Sequence, residues 1–154
     1  MEDLTIDLSE FSSELIKILR SQLLAKDEEN QNEAAFSIKS LAKQCSNKES
    51  IILILTSLFD LLNVEGKSAS INQKQTILFS IGNCSFNCCQ SNTQDVFLKL
   101  IQLFNEYLKN ETNESVVIFA LSQLKIWLDL LKVQTISSDV FNKLNDFFKV
   151  NHIF

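Results

Sequence analysis

The chain has 154 residues, a formal charge of −5, two glycines, no proline and 45% apolar residues. So little turn chemistry excludes barrels and sandwiches and points to an all-α chain. Residues 1–66 carry twelve acids against six bases and the remainder seven against eight; bulk nucleic-acid binding is thereby excluded, because it needs clustered Lys and Arg.

The first residues, Met1-Glu2-Asp3-Leu4, are acidic where a signal peptide is basic. The longest apolar run, Ile51 to Leu55, is five residues, far short of the roughly 20 a membrane span requires. These features predict a soluble, cytoplasmic protein with no membrane partner.

Ser9 reads as the N-cap of a first helix burying Phe11, Leu15, Ile18, Leu19 and Leu23, one stripe of period 3.6. Lys26 to Asn30 reads as a polar turn, followed by a helix that buries Ala34, Ala35, Ile38, Leu41, Ala42 and Cys45. Ser46-Asn47-Lys48 breaks the pattern. A third helix, about Glu49 to Asn63, carries Ile52, Leu55, Leu58, Phe59 and Leu62. The connector from Val64 to Ser70 holds Gly66, which suits a left-handed helix C-cap.

Helix four, about Ile71 to Cys88, buries Ile77, Leu78, Ile81 and Cys84, and Gln90 to Thr93 is a turn. Helix five carries Val96, Phe97, Leu100, Ile101, Phe104 and Leu108; Lys109 to Asn113 turns. Helix six carries Val116, Val117, Ala120, Leu121, Leu124, Trp127, Leu128 and Leu131, with Trp127 expected against helix five or seven. Ser137 or Ser138 caps a last helix with Val140, Leu144, Phe147 and Phe148.

Seven helices in pairs with a period of about 40 residues predict a HEAT-like helical-repeat solenoid, a right-handed stack of antiparallel pairs. The whole chain, 1–154, reads as one segment of a longer solenoid. Its last half-repeat is expected to expose Phe147, Phe148, Ile153 and Phe154 as a sticky end.

Little in the chain suggests chemistry. The one histidine, His152, is near the terminus and has no evident partner. Cys84, Cys88 and Cys89 form a C-x3-C-C cluster, and two thiols at i and i+4 could share a metal. Structural zinc wants four ligands, usually in separated pairs, so the reading favours buried core thiols. Glu65-Gly66-Lys67-Ser68 contains G-K-S, but a phosphate-binding loop needs a glycine where Leu61 stands. No enzyme activity, cofactor or metal is expected.

Leu41-Ala42-Lys43-Gln44-Cys45-Ser46, Glu65-Gly66-Lys67, Gln73-Lys74 and Ile81-Gly82-Asn83-Cys84-Ser85 resemble, in order and separation, the N-terminal HEAT-repeat region of the general-control translational activators. The resemblance runs from about Ile6 to Val150 and weakens after Trp127. It implies a scaffold of a ribosome-associated activator of the initiation-factor-2-alpha kinase, acting in amino-acid starvation or ribosome stalling. The ribosome is the implied partner, through the longer parent protein. The family's kinase-binding segment lies far towards its C-terminus and has no counterpart here, so no direct kinase binding is expected. Lys67 and Lys74, which flank the long connector, are the candidate ribosome or partner contacts. A helical-repeat adaptor unrelated to translation is the alternative reading.

Overall fold

The computed structural model describes residues 6–87, 93–131 and 137–151. Expectations for Cys88, Cys89, His152, Ile153, Phe154, the acidic first residues and the turn at 90–92 lie outside the described residues. Among the described residues seven α-helices follow one another: α1 Ser12–Leu23, α2 Glu28–Lys43, α3 Lys48–Val64, α4 Ile71–Asn83, α5 Thr93–Leu108, α6 Glu114–Leu131 and α7 Ser138–Val150. Single 3-10 turns occupy Ser9–Phe11 and Cys84–Asn87. The described residues contain no strand.

Polar connectors start these helices. Asp27, Asn47, Ser70, Asn113 and Ser137 each accept a backbone N–H of the following first turn with their side chains. Such caps contribute about 1 kcal/mol each. At α4 the cap is reciprocal: Ser70 Oγ accepts from Gln73 N, and Gln73 Oε1 accepts from Ser70 N at 2.9 Å.

The helices sort into two layers, α1–α3–α5–α7 and α2–α4–α6, each helix packing on the next of its own layer. The repeat is regular. α2, α4 and α6 begin at Glu28, Ile71 and Glu114, 43 residues apart; α3, α5 and α7 begin at Lys48, Thr93 and Ser138, 45 apart. This is the helical-repeat solenoid expected from the sequence, with one continuous core between the layers. In the odd layer Phe59 of α3 meets Phe104 of α5 edge-on, with ring centroids 4.9 Å apart. In the even layer the Trp127 indole N–H donates to the Ile81 carbonyl at 3.3 Å.

All six residues expected to be buried by α2 are buried, and so are the four expected in α4. Other expectations need correction. Ser9 does not cap α1; Phe11 stands at the N-cap without a side-chain bond. Phe11 and Ile18 face solvent, while Ser12, Ile16 and Leu23 point inward. The cause is a polar cluster that outranks the apolar stripe. The Ser9 carbonyl accepts from both Ser12 Oγ and Ser50 Oγ, and Ser9 Oγ accepts from Ser46 N at 2.9 Å. Asp7 closes this cluster, accepting from the hydroxyl of Ser46 and from both the hydroxyl and N–H of Ser9. These bonds, the Ser46 hydroxyl first, hold the Asp7 carboxyl well below the usual carboxylate range.

Trp127 is fully buried, and its indole N–H reaches the Ile81 carbonyl of α4, the neighbouring helix of its own layer. Gly66 is not left-handed. It is buried in the turn after α3, where a Cβ would stand 2.1 Å from the Leu62 carbonyl oxygen. Helix four stops at Asn83, and Cys84 continues as a 3-10 turn instead of extending to Cys88. Phe147, expected at a sticky end, is fully buried.

Candidate functional site

The turns joining α3 to α4 and α5 to α6 lie side by side on one edge of the stack and enclose an open cleft of about 660 Å³. Lys67 and Lys74 both line it, together with Gly66, Glu106, Tyr107 and Glu111. The two sequence-designated lysines therefore share one site, but their situations differ. Lys67 is exposed on the rim. Lys74 donates to Glu111 Oε2 at 2.8 Å, and the two side chains retain only 17% and 6% of their exposure.

Glu111 organises the cleft floor. Its Oε2 also accepts from the Tyr107 hydroxyl at 2.8 Å, and its Oε1 accepts from Asn113 N at 2.9 Å. Burial raises the Glu111 carboxyl, but the bonds from Lys74, Asn113 and Tyr107 outweigh it and leave the group below its ordinary value. Burial, with the bond to Glu111 beside it, pushes the Tyr107 hydroxyl far up. Sequence reasoning missed Glu111 and Tyr107. Glu111 sits 37 residues from Lys74, and only the 43-residue repeat brings the α6 entry to the first turn of α4.

Gln73, beside Lys74, points the other way. Its Nε2 donates to the Leu24 and Ala25 carbonyls at 3.0 and 3.2 Å. The Gln73-Lys74 pair thus ties α4 backwards to the α1–α2 turn and forwards to the α5–α6 turn.

A second surface is the end of the stack. Residues Ala35 and Leu78 of α2 and α4 occupy one repeat position and are buried; the equivalent Leu121 of α6 is only half-buried. Ala42, Ser85 and Leu128 behave the same way. In the odd layer Ile51 and Val96 are buried, whereas the equivalent Phe141 is 58% exposed. The apolar end is thus formed by Leu121, Leu128, Phe141 and the half-buried Phe148.

Among the described residues no three of His, Cys, Asp and Glu gather as a metal site. Cys45 and Cys84 are buried core thiols, and Cys84 Sγ donates to the Ser80 carbonyl. Burial, with the Asp7 charge nearby, pushes the Cys45 thiol up to about 11, which leaves it a poor nucleophile. No helix among the described residues is long and apolar enough to cross a membrane.

The model of the N-terminal region of the stalled ribosome sensor GCN1 matches residues 1–68. The stalled ribosome sensor GCN1 of Mus musculus is 29% identical over 151 residues, and that of Homo sapiens is 27% identical over 151 residues. Each alignment covers 97% of this chain but 6% of the relative. No solved structure matches the chain. The resemblance carried by the blocks from Leu41 to Ser85 thus holds, and the chain is similar over almost its whole length to an N-terminal segment of the stalled ribosome sensors.

Proposed function

We propose that this chain is a non-catalytic, cytoplasmic scaffold segment of a ribosome-associated translational activator. It serves a protein that senses stalled ribosomes and promotes initiation-factor-2-alpha kinase signalling in amino-acid starvation. The observation that carries the reading is the similarity to the stalled ribosome sensors along 97% of the chain. The repeat architecture supports it, since solenoids offer extended surfaces for partners. In this reading the chain works inside a longer solenoid, and the apolar end at Leu121, Leu128, Phe141 and Phe148 receives the next repeat.

The cleft holding Lys67 and Lys74 is the proposed ribosome contact. Lys67 supplies the exposed charge, and Lys74 holds the cleft open through Glu111. A tagged form of the full chain is expected to co-sediment with ribosomes, more so when elongation is stalled. Lys67→Glu should weaken co-sedimentation and flatten its salt dependence, because one phosphate contact fewer releases fewer counterions. Lys74→Gln tests the second lysine without placing another carboxylate beside Glu111. Failure to co-sediment even at low salt would overturn the reading and leave the helical-repeat adaptor as the better one.

A further inference from the structure

The outer faces of the two layers are unlike. On the even layer Phe36 of α2 and Phe79 of α4 occupy the same repeat position, 43 residues apart, and are 58% and 38% exposed. On α6 that position is Ser122, and Ile118 and Ile126 stand one turn to either side, 60% and 41% exposed. Around these knobs lie the exposed or half-exposed and uncharged side chains of Asn32, Ser40, Gln75, Thr76 and Ser115. Further stacking at the end of the solenoid would not cover this band, because it lies on the side of the layer away from the core.

The band has a charged border. The even helices run parallel, since Lys74 near the start of α4 meets Glu111 before α6 while Ile81 near its end meets Trp127. Their starts therefore share one edge. Glu28, Glu29 and Glu33 on α2 and Glu114 on α6 are exposed there. Glu33 lies three residues before Phe36, on the neighbouring turn of the same face. The one lysine of α4, Lys74, is already held by Glu111. Lysines on the other two helices, Lys39, Lys43 and Lys125, stand towards the opposite edge, and Lys125 is paired with Asp129 at 2.9 Å.

We infer that the outer face of the α2–α4–α6 layer docks an amphipathic helix of a protein partner, apolar along the stripe that meets Phe36, Phe79, Ile118 and Ile126 and basic along the flank that meets Glu28, Glu29, Glu33 and Glu114. An exposed apolar row marks an interaction surface, and aromatic knobs are the usual anchors of one. A helix reads such a row with residues at i, i+3, i+4 and i+7. Three helices packed 8–10 Å apart make a band about 20 Å long, which a helix of about 13 residues spans. The acidic border fixes which way up the helix lies and excludes nucleic acid, which the same acids repel.

The test is a selection on the full chain with displayed 14-residue helical peptides carrying a fixed apolar stripe and randomised flanks. Enriched peptides should carry Lys or Arg along one flank. Their affinity should fall at least tenfold on Phe36→Asp and on Phe79→Asp, and several-fold on Glu33→Lys. Both phenylalanines are exposed, so the urea midpoints of these variants should stay near that of the parent chain. The inference is overturned if no helical peptide with a basic flank is enriched, or if the enriched peptides bind both Asp variants as well as the parent. Sedimentation showing self-association abolished by Phe79→Asp would assign the face to a second copy instead, and retention of RNA by this face would also overturn it.

Discussion

The odd and even layers reach the same stacked arrangement by different means. The odd layer is built on bulk: Phe59, Phe97, Phe104 and Phe147 are fully buried, and Tyr107 stands at the cleft side of the same contact. Its outer face is charged, with Lys17, Asp60, Glu106 and Asp146 exposed. The even layer combines small residues, Ala34, Ala35, Ala42, Gly82 and Ala120, with aliphatic ones such as Ile38, Leu78 and Ile81, and has one aromatic exception among its fully buried described residues, Trp127. Its outer face is an apolar and polar band with its charges at the edges. Small buried residues demand close approach, and close approach fixes one register between helices. The layer with the stricter fit is therefore also the one that holds the Gln73-Lys74 ties and the outer apolar row.

The largest effect should come from removing the exception. Trp127 is fully buried and its indole N–H is bonded to the Ile81 carbonyl. Trp127→Ala should cost about 3–5 kcal/mol, the usual range for a large buried aromatic. Urea unfolding followed by circular dichroism measures this. Phe104→Ala, in the other layer, should cost a similar amount. A loss below about 1 kcal/mol for Trp127→Ala alone would show that the even layer tolerates a void, contrary to the strict fit inferred for it.

The comparison also explains which parts of the fold are legible in the sequence. The inward face of α2 is legible because its small and apolar residues form one stripe from Ala34 to Ala42, with the buried Gln31 only at its start. Just before α1, Ser9 turns inward to accept from Ser46 N and Ser50 Oγ, partners that follow about 40 residues later, and Ser12 donates to the same Ser9 carbonyl. No local pattern records that, so a local reading assigns Phe11 and Ile18 to the core, and they face solvent. The burial of Trp127 is legible from its neighbours, but its partner is not. Its bond to the Ile81 carbonyl depends on the 43-residue register that stacks α6 on α4. At the cleft, the sequence places Lys67 and Lys74 beside the long connector, and the fold brings both to one cavity. The neutralisation of Lys74 is not visible, because Glu111 looks like one more solvated turn residue until the repeats are stacked.

Glu111 gives the intermediate effect and a sign to check. Glu111→Gln removes the charge that Lys74, Tyr107 and Asn113 address, and bonds to a buried charge contribute about 1.5–3 kcal/mol. A loss of about 2 kcal/mol at neutral pH is expected in urea unfolding. The folded carboxyl lies below the ordinary value of 4.5, so its stabilisation is fully present above that value and is lost as the pH falls through the folded one. The gap between wild type and Glu111→Gln should therefore narrow in acid below about 4.5. A gap that stays constant from neutral pH to acid would show that the variant acts through packing and not through the charge.

The smallest effect sharpens the claim about fit. A Cβ built on Gly82 of α4 would stand 2.1 Å from Gln123 Oε1 and 3.3 Å from Gln123 Cβ, so α6 rests on the bare glycine. Gln123 is itself buried, and its Oε1 has no hydrogen-bond partner among the described residues. Gly82→Ala gains about 1 kcal/mol of helix propensity but overpacks the contact, which typically costs about 1–3 kcal/mol. The net loss should be about 1 kcal/mol. Gln123→Ala removes both the obstructing group and the unpaired oxygen, and the new methyl at position 82 fills part of the space it leaves. The double variant should then be more stable than the sum of the single changes predicts, by about 1 kcal/mol, within the range that touching residues show. Additive losses in urea unfolding would mean that α4 and α6 slide apart to admit the methyl. In that case the even layer would be no stricter than the odd one.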